Sequence, residues 1–199
     1  MKQHNAQQKG FTLIEAIVSI VILTFAVAGP MALSSQSLRA SRDARLELEA
    51  THIAEEGIEI IHNIRDNSSA KDNTAARTGW MAAILGVCNA GCIADVTEHS
   101  SGVWGASALT ACPAGDCSTV GKIFYHPTSH LYRQRGAALG APWKPTVFTR
   151  SMTVAGVDDI ANPVRQVVIT STVTYVGYNG TVKTINVRQD LYNWFPRLN

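Results

Sequence analysis

From Phe11 to Leu33 the chain runs for 23 residues with Glu15 as its single charge, and residues 16–33 carry none. Wound as a helix at about 1.5 Å per residue, that stretch matches the ~30 Å hydrocarbon core of a bilayer. A core helix of a water-soluble domain would break such a run with a polar stripe. The run therefore reads as a membrane-inserted helix. The full chain has 199 residues, 46% of them hydrophobic, which is enough for one ordinary domain with its own core. Setting Lys2 and Lys9 aside leaves 15 basic and 15 acidic side chains. No basic stripe stands out, so no nucleic-acid partner is predicted.

Two processing patterns fit this amino terminus. In an ordinary secretory signal, Lys2 and Lys9 form the basic region, residues 16–25 the apolar region and Ala26-Val27-Ala28 the cleavage site. That pattern would release a soluble binding domain after Ala28. It leaves Glu15 inside an apolar stretch, where a carboxylate costs about 2.5–3.5 kcal/mol on insertion scales. It also sets Pro30 two residues beyond the cut.

The second pattern lies in KGFTLIEA, residues 9–16. It has a basic residue, a glycine, a phenylalanine, Thr-Leu, an aliphatic residue and a glutamate at fixed spacing. This segment resembles the class III signal of type IV pilins and type II secretion pseudopilins. The resemblance implies that residues 1–10 are a leader cut between Gly10 and Phe11, and that Phe11 becomes an N-methylated terminus. A glycine before the cut suits a protease that must approach the backbone closely. The resemblance also gives Glu15 a role, since in that family the glutamate pairs with the terminal amine of a neighbouring subunit. Either charge alone is costly in an apolar bundle, whereas the pair is tolerable and fixes register. The partners implied are other pilin-type subunits, prepilin peptidase/methyltransferase, an inner-membrane assembly platform, and lipid before assembly.

Beyond the apolar run, Leu46, Ala50, Ile53, Gly57, Ile60 and Ile64 recur at spacings of three and four, marking one helical face. An amphipathic continuation over residues 34–66 is expected. Gly29-Pro30 should interrupt it with a kink or a locally melted turn, or end a first helix altogether, because Pro30 lacks its backbone donor. The polar stretch NIRDNSSAKDN, residues 63–73, marks the helix end near Asn63 to Asn67.

Residues 67–145 read as a variable loop region without clear periodicity. It holds Cys88, Cys92, Cys112 and Cys117, with His99 and His126 nearby. C-x3-C and C-x4-C are close to zinc-knuckle spacings. An extracytoplasmic location and an even cysteine count favour disulfides instead. Four cysteines allow three pairings, and a glycine in each short loop favours Cys88–Cys92 and Cys112–Cys117. His126 and His130, in HPTSH, would share a helical face, but Pro127 argues for a strand or turn. No catalytic constellation, metal site or cofactor loop emerges, and the chain reads as structural, not enzymatic.

The segments 146–155, 164–176 and 181–195 alternate and are rich in β-branched residues, predicting an antiparallel sheet of about three or more strands. Asn179-Gly180 marks a hairpin turn with positive φ values. One sheet face would pack on the helical stripe at Leu46 to Ile64. The expectation is an α+β, pilin-like fold: a long amino-terminal helix, a variable middle, and a carboxy-terminal sheet over 146–199. The segment TVFTR, the hairpin strands and the closing LYNWF resemble minor pilins and pseudopilins of the secretion I-subunit and V type. That resemblance implies a minor subunit: a single-pass membrane protein with an extracytoplasmic carboxy-terminal domain, later part of a filament.

Overall fold

A computed structural model describes residues 10–71, 79–95, 108–134, 140–159 and 162–192. The chain divides into two units, Met1–Ala44 and Arg45–Asn199. Helix α1, Leu13–Lys71, contributes to both.

In the first unit Thr12 precedes the helix and its Oγ1 accepts from the Glu15 N–H at 3.4 Å, as an N-cap does. The Ser19 and Thr24 hydroxyls donate back to the Glu15 and Val21 carbonyls. These two hydroxyls are thus satisfied by their own helix, as polar groups placed in lipid must be. An 18-residue window of α1 has a mean hydropathy of 2.3, and none of it is buried within the chain. The helix is long and apolar enough to cross a membrane.

Helical structure continues through Pro30. The melted turn and the helix end expected at Gly29-Pro30 are therefore absent. A proline removes one intrahelical donor and crowds the preceding turn, but the bonds on either side hold the helix together. The other end also runs past its expected stop near Asn63 to Asn67, as far as Lys71. There the Asn67 side-chain amide donates to Asn63 one turn earlier, and Ser69 is buried. Side chains expected to bond their own backbone and end the helix bond each other along it instead.

In the second unit, Ala50, Ile53, Gly57, Ile60 and Ile64 are buried, as are Ala54, Ile58 and Ile61 beside them. The stripe is wider than one residue per turn because it meets a sheet rather than another helix. The middle of the chain is not a structureless loop. It holds α2 (Gly79–Cys88) and four short strands: β1 (Cys92–Ala94), β2 (Leu109–Ala111), β3 (Lys122–Tyr125) and β4 (Tyr132–Gln134). Three long strands follow: β5 (Lys144–Asp159), β6 (Asn162–Val176) and β7 (Val182–Tyr192). All described pairings are antiparallel. The 16 residues of β5 organise the sheet: one edge pairs with β6, and the other is shared by β3 and, at Met152, by β1. Strand β6 then pairs with β7.

The β6–β7 turn departs from the expected Asn-Gly geometry. Gly180 alone takes a positive φ, +75°, with Gly180 N–H donating to the Gly177 carbonyl and Gly177 N–H to the Thr181 carbonyl. This is a type I turn followed by a glycine bulge, so Asn179 needs no left-handed conformation.

Helix and sheet approach closely at Gly57. A Cβ there would lie 3.0 Å from Met152 Sδ and from Ser171 Oγ, and 3.2 Å from Arg150 Cδ. Met152 and Ser171 are fully buried and Arg150 is held by several bonds, so none has room to yield. Gly57→Val should therefore lower stability by about 2–3 kcal/mol through overpacking, measured by thermal unfolding of the full chain in detergent. A melting temperature unchanged from the parent would show that the close approach is soft.

Candidate processing and assembly segment

Gly10 and Phe11 precede the helix and Glu15 sits in its first turn, all three exposed. Glu15 is therefore placed where a negative charge complements the positive end of the helix dipole. With Thr12 as N-cap, Thr12-x-x-Glu15 has the form of a capping box, a local signal that sequence reasoning passed over. It explains why the helix starts where it does without explaining the exposed side chains that follow. Phe11, Leu13 and Phe25 are each at least three-quarters exposed, and Ile20, Leu23, Met31 and Leu33 about two-thirds. At roughly 1.5–3 kcal/mol for each large apolar side chain left in water, such a surface needs lipid or other helices around it.

Residues 5–29 match a known family signature, the prokaryotic N-terminal methylation motif. The match spans Gly10, Phe11 and Glu15. The chain has a prepilin-type amino terminus. No curated protein and no solved structure matches the chain. A prepilin-type amino terminus on a long apolar helix is consistent with a type IV pilin-like protein. It fits a single-pass membrane anchor, and it implies cleavage by prepilin peptidase and assembly with other pilin subunits.

Downstream of the prepilin-type segment, Cys88 is bonded to Cys92 and Cys112 to Cys117, which accounts for all four cysteines of the chain. Gly91 and Gly115, one in each loop, take positive φ values of 119° and 79°. The loops abut: the Cys112 N–H donates to the Gly91 carbonyl at 2.9 Å. Their sulfurs nevertheless face apart. Cys88 and Cys92 lie in the main core with Met152 and Trp80, whereas Cys112 and Cys117 pack on Ile93 in a separate cluster. A four-cysteine zinc site would need these sulfurs on one side of the β1–β2 pair.

His126 and His130 do not converge either. Nδ1 of His126 accepts from the Ser129 N–H at 3.1 Å, while Nδ1 of His130 bonds the Tyr125 hydroxyl. Tyr132 donates to Glu49 at 2.7 Å, and burial, reinforced by that bond, pushes its phenol up to about 12. His99 lies outside the described residues.

A buried polar centre is the feature sequence reasoning missed. Arg150 points inward from β5 with its side chain almost fully buried. It donates to the Ile53 carbonyl of α1 (2.9 Å), the Ala94 carbonyl of β1 (2.9 Å), Gln134 Oε1 of β4 (3.1 Å) and Glu56 (3.2 Å). Gln134 in turn donates to the Gly121 carbonyl at 2.8 Å. Gly121 has no room for a side chain, since a Cβ would stand 2.5 Å from the carbonyl oxygens of Arg150 and Cys117. Burial lowers the guanidinium pKa, and Glu56 opposes that shift. This centre fastens the helix to three strands.

Proposed function

We propose that the chain is a structural subunit, of the minor kind, of a type IV pilus or a type II secretion-like pseudopilus. The observation that carries this reading is Glu15, the one charge of the Phe11 to Leu33 run, standing inside a matched methylation motif. An ordinary membrane anchor gains nothing from a carboxylate there. In a bundle of identical helices, the carboxylate of one subunit neutralises the methylated amine of Phe11 in the next, and the pair sets axial register. The exposed apolar surface of residues 11–33 is covered first by lipid and then by neighbouring helices. Gly29 and Pro30, one intrahelical bond short, form the point at which this helix gives way when subunits pack. The two disulfides support an extracytoplasmic carboxy-terminal unit, because bridges persist in oxidising compartments. The protein is thus a substrate of its peptidase and methyltransferase rather than an enzyme.

Intact mass of the mature chain tests this directly. A chain beginning at Phe11 and heavier by one methyl group is the expected result. A chain beginning at Gly29 would assign the protein instead to ordinary signal peptidase, as a released binding domain.

A further inference from the structure

Strand β7 is an edge, and among the described residues it pairs only with β6. The other strands that end the sheet, β2 and β4, have three residues each, whereas β7 has 11 and contains neither proline nor glycine. Its outward groups follow from the turn. Gly177 N–H bonds the Thr181 carbonyl, so in the alternating antiparallel ladder Lys183, Ile185, Val187, Gln189 and Leu191 exchange bonds with β6. The N–H and C=O groups of Val182, Thr184, Asn186, Arg188, Asp190 and Tyr192 then point away from the sheet. All six of these residues are exposed. A long edge with unpaired backbone groups is a template for another strand.

The charges on this edge select which strand. Arg188 and Asp190 are two apart on one face, 3.9 Å from each other within the chain. In an antiparallel pairing of β7 with β7 of a second copy, a two-fold axis at Arg188 would oppose Arg188 to itself. An axis at Asp190 would oppose the two Asp190 carboxylates. An axis at Gln189 opposes each Arg188 to the Asp190 of the other copy, twice. It also makes those residues the hydrogen-bonded pairs their outward backbone requires, and stacks Val187 against Leu191 on the inner face. We propose that β7 is a homodimerisation edge, joined antiparallel to a second copy about Gln189, with the reciprocal Arg188–Asp190 pairs fixing register. The isologous contact closes on itself, so it makes a dimer and not a fibre. It does not depend on the filament reading.

Cysteine cross-linking of the full chain in detergent micelles tests the register. In this pairing the two Gln189 residues form a non-hydrogen-bonded pair with Cα atoms about 4.5 Å apart, within disulfide reach. The two Asn186 residues stand about 20 Å apart, at ~3.4 Å per residue. Q189C should therefore cross-link under mild oxidation and N186C should not. R188D in the Q189C background sets carboxylates against carboxylates and should weaken association about a hundredfold; adding D190R should restore it. A Q189C chain that stays monomeric, equal cross-linking of Q189C and N186C, or indifference to R188D would each overturn the proposal. So would failure of D190R to rescue.

Discussion

Gly10→Val should leave uncleaved precursor in the membrane, with essentially no mature form. The substitution has no cost to the fold, because a Cβ at Gly10 meets nothing within 4 Å. Whatever it changes must therefore occur in the complex with the processing enzyme, where a branched side chain blocks close approach to the scissile backbone. Glu15→Ala makes the complementary case. It removes a carboxylate from the first turn but retains Thr12 as the N-cap, so helix stability should fall by no more than about 1 kcal/mol. Cleavage should proceed, while incorporation into filaments or methylation of Phe11 should fail. Immunoblots of membrane fractions separate precursor from mature chain, and sheared filaments report assembly. Normal maturation of Gly10→Val would sink the processing assignment. Normal assembly of Glu15→Ala would leave cleavage intact as a conclusion and remove the pairing role alone.

The methylation motif was legible because its signal is a matter of spacing within a few positions. The stripe from Ala50 to Ile64 and the strands β5 to β7 were legible because they are long enough for a period to show. The middle of the chain offered no such length. Strands β1, β2 and β4 have three residues each, too few for alternation to register. Helix α2, GWMAAILGVC, is apolar on nearly every position and so has no stripe, although Trp80, Met81, Ile84 and Cys88 are its buried residues. What identifies these elements is tertiary: α2 and β1 share the core of Ile61, Ile64 and Met152, and a disulfide links the end of one to the start of the other. The helix overrun past Asn67 has the same origin, since burial of Ile64 and Ser69 outweighs the turn preference of NSS. Arg150 is a mixed case. Alternation in TVFTRSMTVA sets it between Phe148 and Met152, on the apolar face. That position marks a buried cation, but none of its four acceptors is near it in sequence.

Arg150→Ala is accordingly expected to cost about 3–5 kcal/mol of folding stability, since each enclosed acceptor that loses its donor costs about 1–3 kcal/mol. The loss is not mainly that of a salt bridge. Glu56 is 37% exposed and can turn to water when its partner is gone, which limits its share. The larger penalty falls on the Ala94 carbonyl and Gln134 Oε1, which are enclosed where helix and sheet meet and lose a charged donor. Two further variants separate these contributions. Glu56→Gln keeps a hydrogen-bond acceptor beside Arg150 and should cost about 1 kcal/mol. Arg150→Lys keeps the charge but offers a single ammonium to acceptors spread over two strands and a helix, and should fall between the other two. Denaturant unfolding of the full chain in micelles, followed by near-ultraviolet circular dichroism, gives all three values. If Arg150→Ala lost no more than Glu56→Gln, the ion pair would be the whole effect. The buried fork would then not be what holds α1 against the sheet.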